Sequence, residues 1–413
     1  MDTISLAYAY GWRNSGDLAI NQGSIAYLNS LAPAVIPRTV SIHPQQSTEF
    51  RETETKVAYD DLRFEFIGGP MRYNPKAQSC LEKVISLAGD GFRYATDRIG
   101  GSIHRSLGTQ MAHEIRDSDF FFYNGGNLIH HNRSLSYLLG VLYPLQIAKQ
   151  YDVPYGLLPH TIFDIEGRYQ PLIQSVLNGS EFIWTRDSRS YEYLTSEFSL
   201  SAPVRNGIDT AFFLSDVDER AVNVSSSSSG EGKIAVVPRF SSLGDTGDLT
   251  DDGVEATLKQ SMQRLTENGY DVNLTVQTKV EQQWARENQQ FLDHNGISVF
   301  RSFSPKQLRA HYSDVDLLIT MRLHAGIFAL SVGTPAIGLY REQWGPKTPG
   351  TWKTLEIDEY ALPCEQMTVG GILQLSEDVL DDRVTISNRI LRNIDEKREY
   401  MLEETRALMD EVA

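Results

Sequence analysis

Short apolar runs recur along the chain, each followed by a polar turn and then by apolar residues at three- and four-residue spacing. The runs read as buried strands and the spaced segments as amphipathic helices. Ile4–Tyr10 opens the series, with Ser15 as a candidate cap for a helix carrying Leu18, Ile25 and Leu28. Phe120–Tyr123 is a second strand that ends in Asn124-Gly125-Gly126, and Leu135, Tyr137, Leu138 and Leu142 mark the helix after it. Pro154–Leu158 and Phe182–Trp184 follow, the latter running through Thr185-Arg186-Asp187 into a capped helix start. Ile234–Val237, Val272–Val276, Ile297–Phe300, Leu317–Ile319 and Ala336–Tyr340 repeat the pattern. Val379–Val412 then mixes acidic and basic residues at helical spacing, which predicts a helical ending.

Alternating strands and helices of this kind form parallel sheets covered by helices. Ser225–Ser229 with Gly230, Glu231 and Gly232 has no side chain able to join a core and divides the chain. The expectation is an α/β protein of two Rossmann-like domains, residues 1–222 and 233–378, with a cleft between them and a helical extension over 379–413.

With 413 residues, 41% of them hydrophobic, the chain has length for two or three cores, and disorder is excluded. Lys+Arg 38 against Asp+Glu 54 leaves −16 formal charges and no basic stripe, which argues against nucleic acid as a partner. Cys80 and Cys364 are too few and too far apart for a disulfide framework or a zinc site. There is no run of roughly 18 apolar residues and no basic-then-apolar leader, so no integral membrane segment and a cytoplasmic location are expected. The Asn-x-Ser/Thr sites at Asn132, Asn178, Asn223 and Asn273 then carry no sugar.

Ligands of open parallel sheets bind beyond the carboxyl ends of the strands, so the residues there are the candidates. Arg322 and His324 stand in a turn that opens a helix whose Ala325 and Gly326 permit close approach. Together they offer a permanent cation, a titratable imidazole and a helix N-terminus; the plainer reading is a cap and a packed histidine. Arg186 follows a strand and faces either a ligand or Asp187 in a surface ion pair. Arg239 follows the Ile234–Val237 strand, and Lys347 sits in the Gly/Pro-rich stretch Trp344–Gly350, read as a loop. Asn14 and Asp17 flank a tight turn at Gly16, where Ser15 or Asp17 caps the helix or Asp17 meets an acceptor hydroxyl. Gly125 and Gly126 let backbone approach a ligand or simply turn the chain, while His160 ends a strand and points toward the expected cleft. His130 and His131 read as helix-surface residues. His113-Glu114 lacks the second histidine of a metalloprotease helix, Asp117 standing in its place, and no zinc spacing, Walker A or Gly-x-Gly-x-x-Gly is present.

The Arg322-Leu323-His324-Ala325-Gly326 turn, Gly333-Thr334-Pro335, Tyr340 and Lys347 resemble the signature region of the polysaccharide pyruvyltransferase family. Asn14-Ser15-Gly16-Asp17, Gly125-Gly126 and Trp184–Ser188 resemble that family's Asn-x-Gly-Asp, double-glycine and Arg-x-Ser elements in order. Asn206-Gly207-Ile208 with Asp209 and Phe212 is similar to a segment of GT-B glycosyltransferases and is expected to shape the interdomain connection. The resemblance implies a GT-B-like architecture and transfer of pyruvate from phosphoenolpyruvate to a sugar as a ketal, with no separate cofactor. A dianionic phosphate and a carboxylate held without metal need several cations, for which Arg186, Arg239, Arg322 and Lys347 are the candidates. His324 is the candidate acid toward the methylene carbon. Asn14, Asp17, Gly125, Gly126 and His160 are the candidate acceptor side, with a lipid-linked acceptor, and so peripheral membrane contact, left open together with the oligomeric state. A GT-B glycosyltransferase using a nucleotide sugar is the alternative, and a catalytically dead scaffold of the same fold a third reading.

Overall fold

The computed structural model describes residues 2–9, 14–41, 65–67, 110–130, 135–214, 232–240 and 252–412. The chain divides into two compact units. Unit 1 comprises Met1–Trp12, Ile20–Phe213 and Tyr400–Ala413, and unit 2 comprises Arg13–Ala19 and Leu214–Glu399. The serine stretch expected to link them lies outside the described residues.

In unit 1 the chain runs β1 (Ile4–Ala9), α1 (Ser15–Leu31), β2 (Arg38–Ser41), β3 (Glu65–Ile67), α2 (Gln110–Arg116), β4 (Phe120–Tyr123) and α3 (Leu135–Gln150). It continues through β5 (Tyr155–His160), α4 (Gln170–Leu177), β6 (Phe182–Thr185), α5 (Ser188–Glu197) and β7 (Val204–Asn206). The strands pair in parallel in the order β3-β2-β1-β4-β5-β6-β7. Phe120, Phe121, Phe122 and Tyr123 are all 0% exposed. A strand buried on both faces has no polar side to alternate with, which explains why these segments read as unbroken apolar runs.

Unit 2 repeats the plan with β8 (Lys233–Val237), α6 (Asp252–Glu267), β9 (Asp271–Val276), α7 (Lys279–Glu287), α8 (Gln289–His294), β10 (Ser298–Arg301), α9 (Pro305–Ser313) and β11 (Leu317–Thr320). Then come α10 (Leu323–Leu330), β12 (Ala336–Tyr340), α11 (Lys347–Thr354), β13 (Ala361–Pro363), α12 (Val369–Asp381) and α13 (Arg383–Val412). Its parallel sheet is ordered β10-β9-β8-β11-β12-β13. In both sheets the strand order reverses beside the first strand, at β1/β4 and at β8/β11, and a crevice for ligands opens at such a reversal.

Two expectations change. Lys347 begins a helix rather than sitting in a loop, because Pro349 falls in the first turn, where a missing N–H costs nothing. His130 lies in the loop before α3, not on a helix surface, and His131 lies outside the described residues. The expected C-terminal helical ending is present as α13. Residues before Tyr400 belong to unit 2, where Ser387 Oγ donates to Gly333 O and Asn393 Nδ2 donates to Leu355 O at 2.8 Å. Residues from Tyr400 belong to unit 1, where Tyr27 Oη donates to Thr405 Oγ1 at 2.6 Å and Trp184 Nε1 donates to the same oxygen at 3.0 Å. Cys364 is buried, and Cys80 lies outside the described residues.

One side chain seats the elements of unit 2 that carry the site. Trp352 of α11 is 0% exposed, and its Nε1 donates to Ala336 O at 2.9 Å. A methyl group at Gly326 of α10 would lie 2.2 Å from Trp352 Cη2, and one at Gly338 of β12 would lie 3.0 Å from Cε2. Gly326→Ala should therefore lower unfolding stability by about 1–3 kcal/mol through overpacking, despite the ~1 kcal/mol that alanine brings to a helix interior. Denaturant midpoints followed by circular dichroism measure the balance, and a stabilised variant would show that the indole yields.

Candidate active site

At the strand reversal of unit 2, Val237 pairs with Thr320, and the residues just after each carry cations. Met321 N–H donates to Val237 O at 2.9 Å, and Arg239 N–H points to Met321 Sδ at 3.3 Å. The turns bearing Arg239 and Arg322 are thereby tied side by side. Arg322 takes extended dihedrals (φ −116°, ψ 123°) before α10, and its N–H donates to Thr320 Oγ1 at 2.9 Å. The Arg322 side chain does not cap α10, and the first N–H groups of that helix add partial positive charge beside the arginine.

The Arg322 guanidinium is held by a residue that the sequence reading passed over. Thr278 and Glu281 form a capping box at the start of α7, in which Thr278 N–H and Oγ1 each donate to Glu281 Oε2 at 2.6 Å. The other carboxylate oxygen forms an ion pair with Arg322 Nη2, and that nitrogen also donates to Thr278 Oγ1 at 3.3 Å. The side chains are 18% and 0% exposed respectively. Arg322 Nε is buried and has no hydrogen-bond partner among the described residues. Thr278-x-x-Glu281 is a pattern that a sequence can show; what it does not show is that the free carboxylate oxygen faces a strand reversal.

Trp344 is the second such residue. The Arg239 guanidinium lies 4.6 Å from its ring centroid and that of Arg341 5.9 Å, so the indole stacks with two cations. Its Nε1–H is also buried with no hydrogen-bond partner among the described residues. Lys347, half-buried, starts α11 shortly beyond. His324 is the second residue of α10 and half-buried. Against it lies the start of α1: a methyl group at Gly16 would stand 2.4 Å from His324 Nδ1. There Asn14, rather than Ser15 or Asp17, caps the helix, Gly16 N–H donating to its Oδ1 and Leu18 N–H to its carbonyl, both at 3.0 Å. Asp17 sits in the first turn, and Ser15 Oγ is buried with no hydrogen-bond partner among the described residues.

In unit 1 the expected residues cluster differently. Arg186 makes no surface pair with Asp187; its Nη1 bonds Asp209 Oδ2 at 2.7 Å and its Nε donates to Thr161 Oγ1 at 2.8 Å, with 3% and 1% of the two paired side chains exposed. Asp187 instead caps α5, accepting from Ser190 N–H at 2.8 Å, and burial pushes its carboxyl pKa up. Asp209, placed by the sequence reading in the interdomain connection, is the counter-ion of a buried guanidinium. Gly125 and Gly126 pack on the chain's own backbone: Gly126 N–H donates to Pro159 O at 2.9 Å, Thr161 N–H donates to Gly126 O at 2.8 Å, and Gly126 has φ 121°. A methyl group at Gly125 would lie 2.7 Å from Pro159 O, so both glycines serve this close approach.

His160 is 0% exposed, its ring stacked on Tyr123 with centroids 5.1 Å apart. Its Nδ1 is 2.8 Å from Leu158 O and must donate, because a carbonyl only accepts; Nε2 is left as a lone pair without a partner among the described residues. Burial first, and the nearby Arg186 charge in addition, lower its pKa to about 4. Among the described residues no three His, Cys, Asp or Glu side chains group as a metal site, and no helix is long and apolar enough to cross a membrane.

Comparisons with known proteins agree with this architecture. A glycosyltransferase of Rickettsia africae superposes with TM-score 0.57 at 11% identity, over 100% of this chain and 98% of the other. The UDP-GlcNAc 2-epimerase of Neisseria meningitidis, bound to UDP-GlcNAc, gives 0.57 at 9% identity over 98% and 99%. Anabaena HepE, in complex with UDP and glucose, gives 0.54 at 11% identity over 98% and 99%. Two Rossmann-like units of this type make the chain an α/β protein of the GT-B-like class. No curated protein matches it. The family model for polysaccharide pyruvyl transferase matches residues 14–343, and the chain belongs to that family of transferases. Asn14, Arg186, Arg239, Arg322 and His324 fall inside the matched span, and Lys347 just beyond it.

His160 generates a pH prediction. Neutral in the native state down to about pH 4, it regains an ordinary pKa near 6.5 on unfolding. The unfolded chain then binds the extra proton, and stability falls as pH drops from roughly 6.5 toward 4, by about 3 kcal/mol in total. His160→Phe, which keeps a ring against Tyr123, should flatten this part of the profile in denaturant titrations at pH 7 and pH 4.5. An unchanged slope would assign the acid limb to other groups.

Proposed function

We propose that this transferase moves the pyruvyl group of phosphoenolpyruvate onto two hydroxyls of a sugar or glycan acceptor, forming a pyruvate ketal and releasing phosphate. The observation that carries the reading is the donor set at the strand reversal of unit 2. Among the described residues, buried donors of Arg322 and Trp344 lack acceptors there, beside the Arg239 and Arg341 guanidiniums and the start of α10. Such donors cost stability unless an anion meets them, and charge-assisted bonds to phosphate or carboxylate are the strong kind. Family membership supplies the transferred group.

In this reading His324, as imidazolium, gives a proton to the methylene carbon, and the positive charge that develops at the adjacent carbon is attacked by the first acceptor hydroxyl. Phosphate leaves with its charge stabilised by the arginines, and the second hydroxyl closes the ketal. One hydroxyl proton balances the proton taken from His324 and the other leaves with phosphate. Arg322, Arg239 and Lys347 are assigned to the donor. Arg186 belongs to unit 1, where Thr161 and Asp209 take its Nε and Nη1 donors, and it is assigned no direct step.

Calorimetry with phosphoenolpyruvate and a chelator present should show binding, and Arg322→Ala should weaken it about ten- to a hundredfold, from roughly 1.5–3 kcal/mol per charge-assisted contact. His324→Ala should lower turnover by about 10²–10⁴-fold with affinity less affected. Reaction in deuterated water should place deuterium in the pyruvyl methyl group. No phosphate release with any of a panel of glycosides would overturn the donor, and equal turnover without the imidazole would remove His324 as the acid.

A further inference from the structure

The residues at the start of α1 carry an inference that rests on His324 acting as the acid. Gly16 belongs to unit 2, as do α10 and His324. A methyl group on Gly16 would stand 2.4 Å from His324 Nδ1, 2.6 Å from Cγ and 3.0 Å from Cβ. Those three atoms are the root of the imidazole, not the free end of a flexible chain, so the Gly16 backbone lies against the side of the ring that fixes its direction. Glycine is otherwise a poor choice at this position: it stands second in a 17-residue helix, where alanine would be worth roughly 1 kcal/mol more. Asn14 holds the turn in place by accepting from Gly16 N–H at 3.0 Å through Oδ1 and from Leu18 N–H at 3.0 Å through its carbonyl.

We infer that the Asn14-Ser15-Gly16-Asp17 turn is a positioning element for His324, with Gly16 as the surface against which the imidazole is aimed and Asn14 as the bond that fixes that surface. The turn thereby acts on proton delivery to the donor, not on acceptor recognition. A ring held on one side by backbone keeps its reacting nitrogen within the few tenths of an ångström that proton transfer tolerates.

A two-by-two set of variants tests this: wild type, Gly16→Ala, His324→Ala and the double variant, each read by thermal midpoint and, where His324 is present, by steady-state kinetics. Gly16→Ala should lower the thermal midpoint when the imidazole is present and raise it in the His324→Ala background, where the ring's volume is vacant and only the helix preference of alanine remains. It should reduce kcat at least tenfold while leaving KM for phosphoenolpyruvate within about twofold, a split that general loss of folded protein does not produce. Asn14→Ala, which frees the turn without filling it, should lower kcat in the same direction, and Asn14→Asp, which keeps the accepting oxygen, should restore most of it. If Gly16→Ala alone does not fold, recovery of folded protein in the double variant supports the contact and failure to recover overturns it. Equal shifts of midpoint in both backgrounds, or an unchanged kcat in folded Gly16→Ala, overturn the inference while phosphoenolpyruvate turnover by wild type stands. A wild-type chain that turns over no phosphoenolpyruvate overturns the donor reading instead, and the midpoint cycle alone then decides whether Gly16 aims the ring.

Discussion

Burying a guanidinium costs several kcal/mol unless a carboxylate and hydrogen bonds accompany it, and both units meet that constraint at the end of their sheets. In unit 1, Asp209 and Thr161 take the Nη1 and Nε donors of Arg186, leaving the side chain 3% exposed. In unit 2, Glu281 and Thr278 take Nη2 of Arg322, and Nε is a buried donor without an acceptor among the described residues. The same residue type, placed by the same strand-to-helix geometry, is thus a closed structural pair in one unit and a half-satisfied one in the other. A paired charge has less to offer an incoming anion than one with a donor to spare.

Strands buried on both faces announce themselves as apolar runs, and β4, β6, β8, β9, β11 and β12 were readable on that ground to within a residue or so. The edge strands β3, β7 and β13 were not, because three residues each give no period. Lys347–Thr354 hid for another reason: two prolines and two glycines in Gly345–Gly350 signal a loop by composition, whereas proline in a first turn is compatible with a helix. The sequence-derived candidates Arg239, Arg322 and His324 do gather in unit 2. Glu281 and Trp344 escaped notice because their importance comes from what the unit's topology places beside them, not from their own neighbours along the chain.

Glycines proved informative where a close approach is present. Gly125 and Gly126 were candidates for ligand contact; the atoms that forbid a side chain at Gly125 are those of Pro159 in β5, and Gly126 has a positive φ. Gly16 was merely the middle of a turn, yet the atoms nearest to it are those of a candidate catalytic imidazole. A glycine motif states that something comes close; only coordinates state what.

Trp352 extends that lesson to inheritance. Its indole fills the volume that Gly326 and Gly338 leave vacant, one on the helix that bears His324 and the other on the neighbouring strand. A larger residue at either glycine collides with the ring, and a smaller residue at 352 leaves two glycines facing a void. The three positions share one volume and so form one linked character: a change at any of them alters what the other two can hold, so descendants of this chain inherit the trio as a unit.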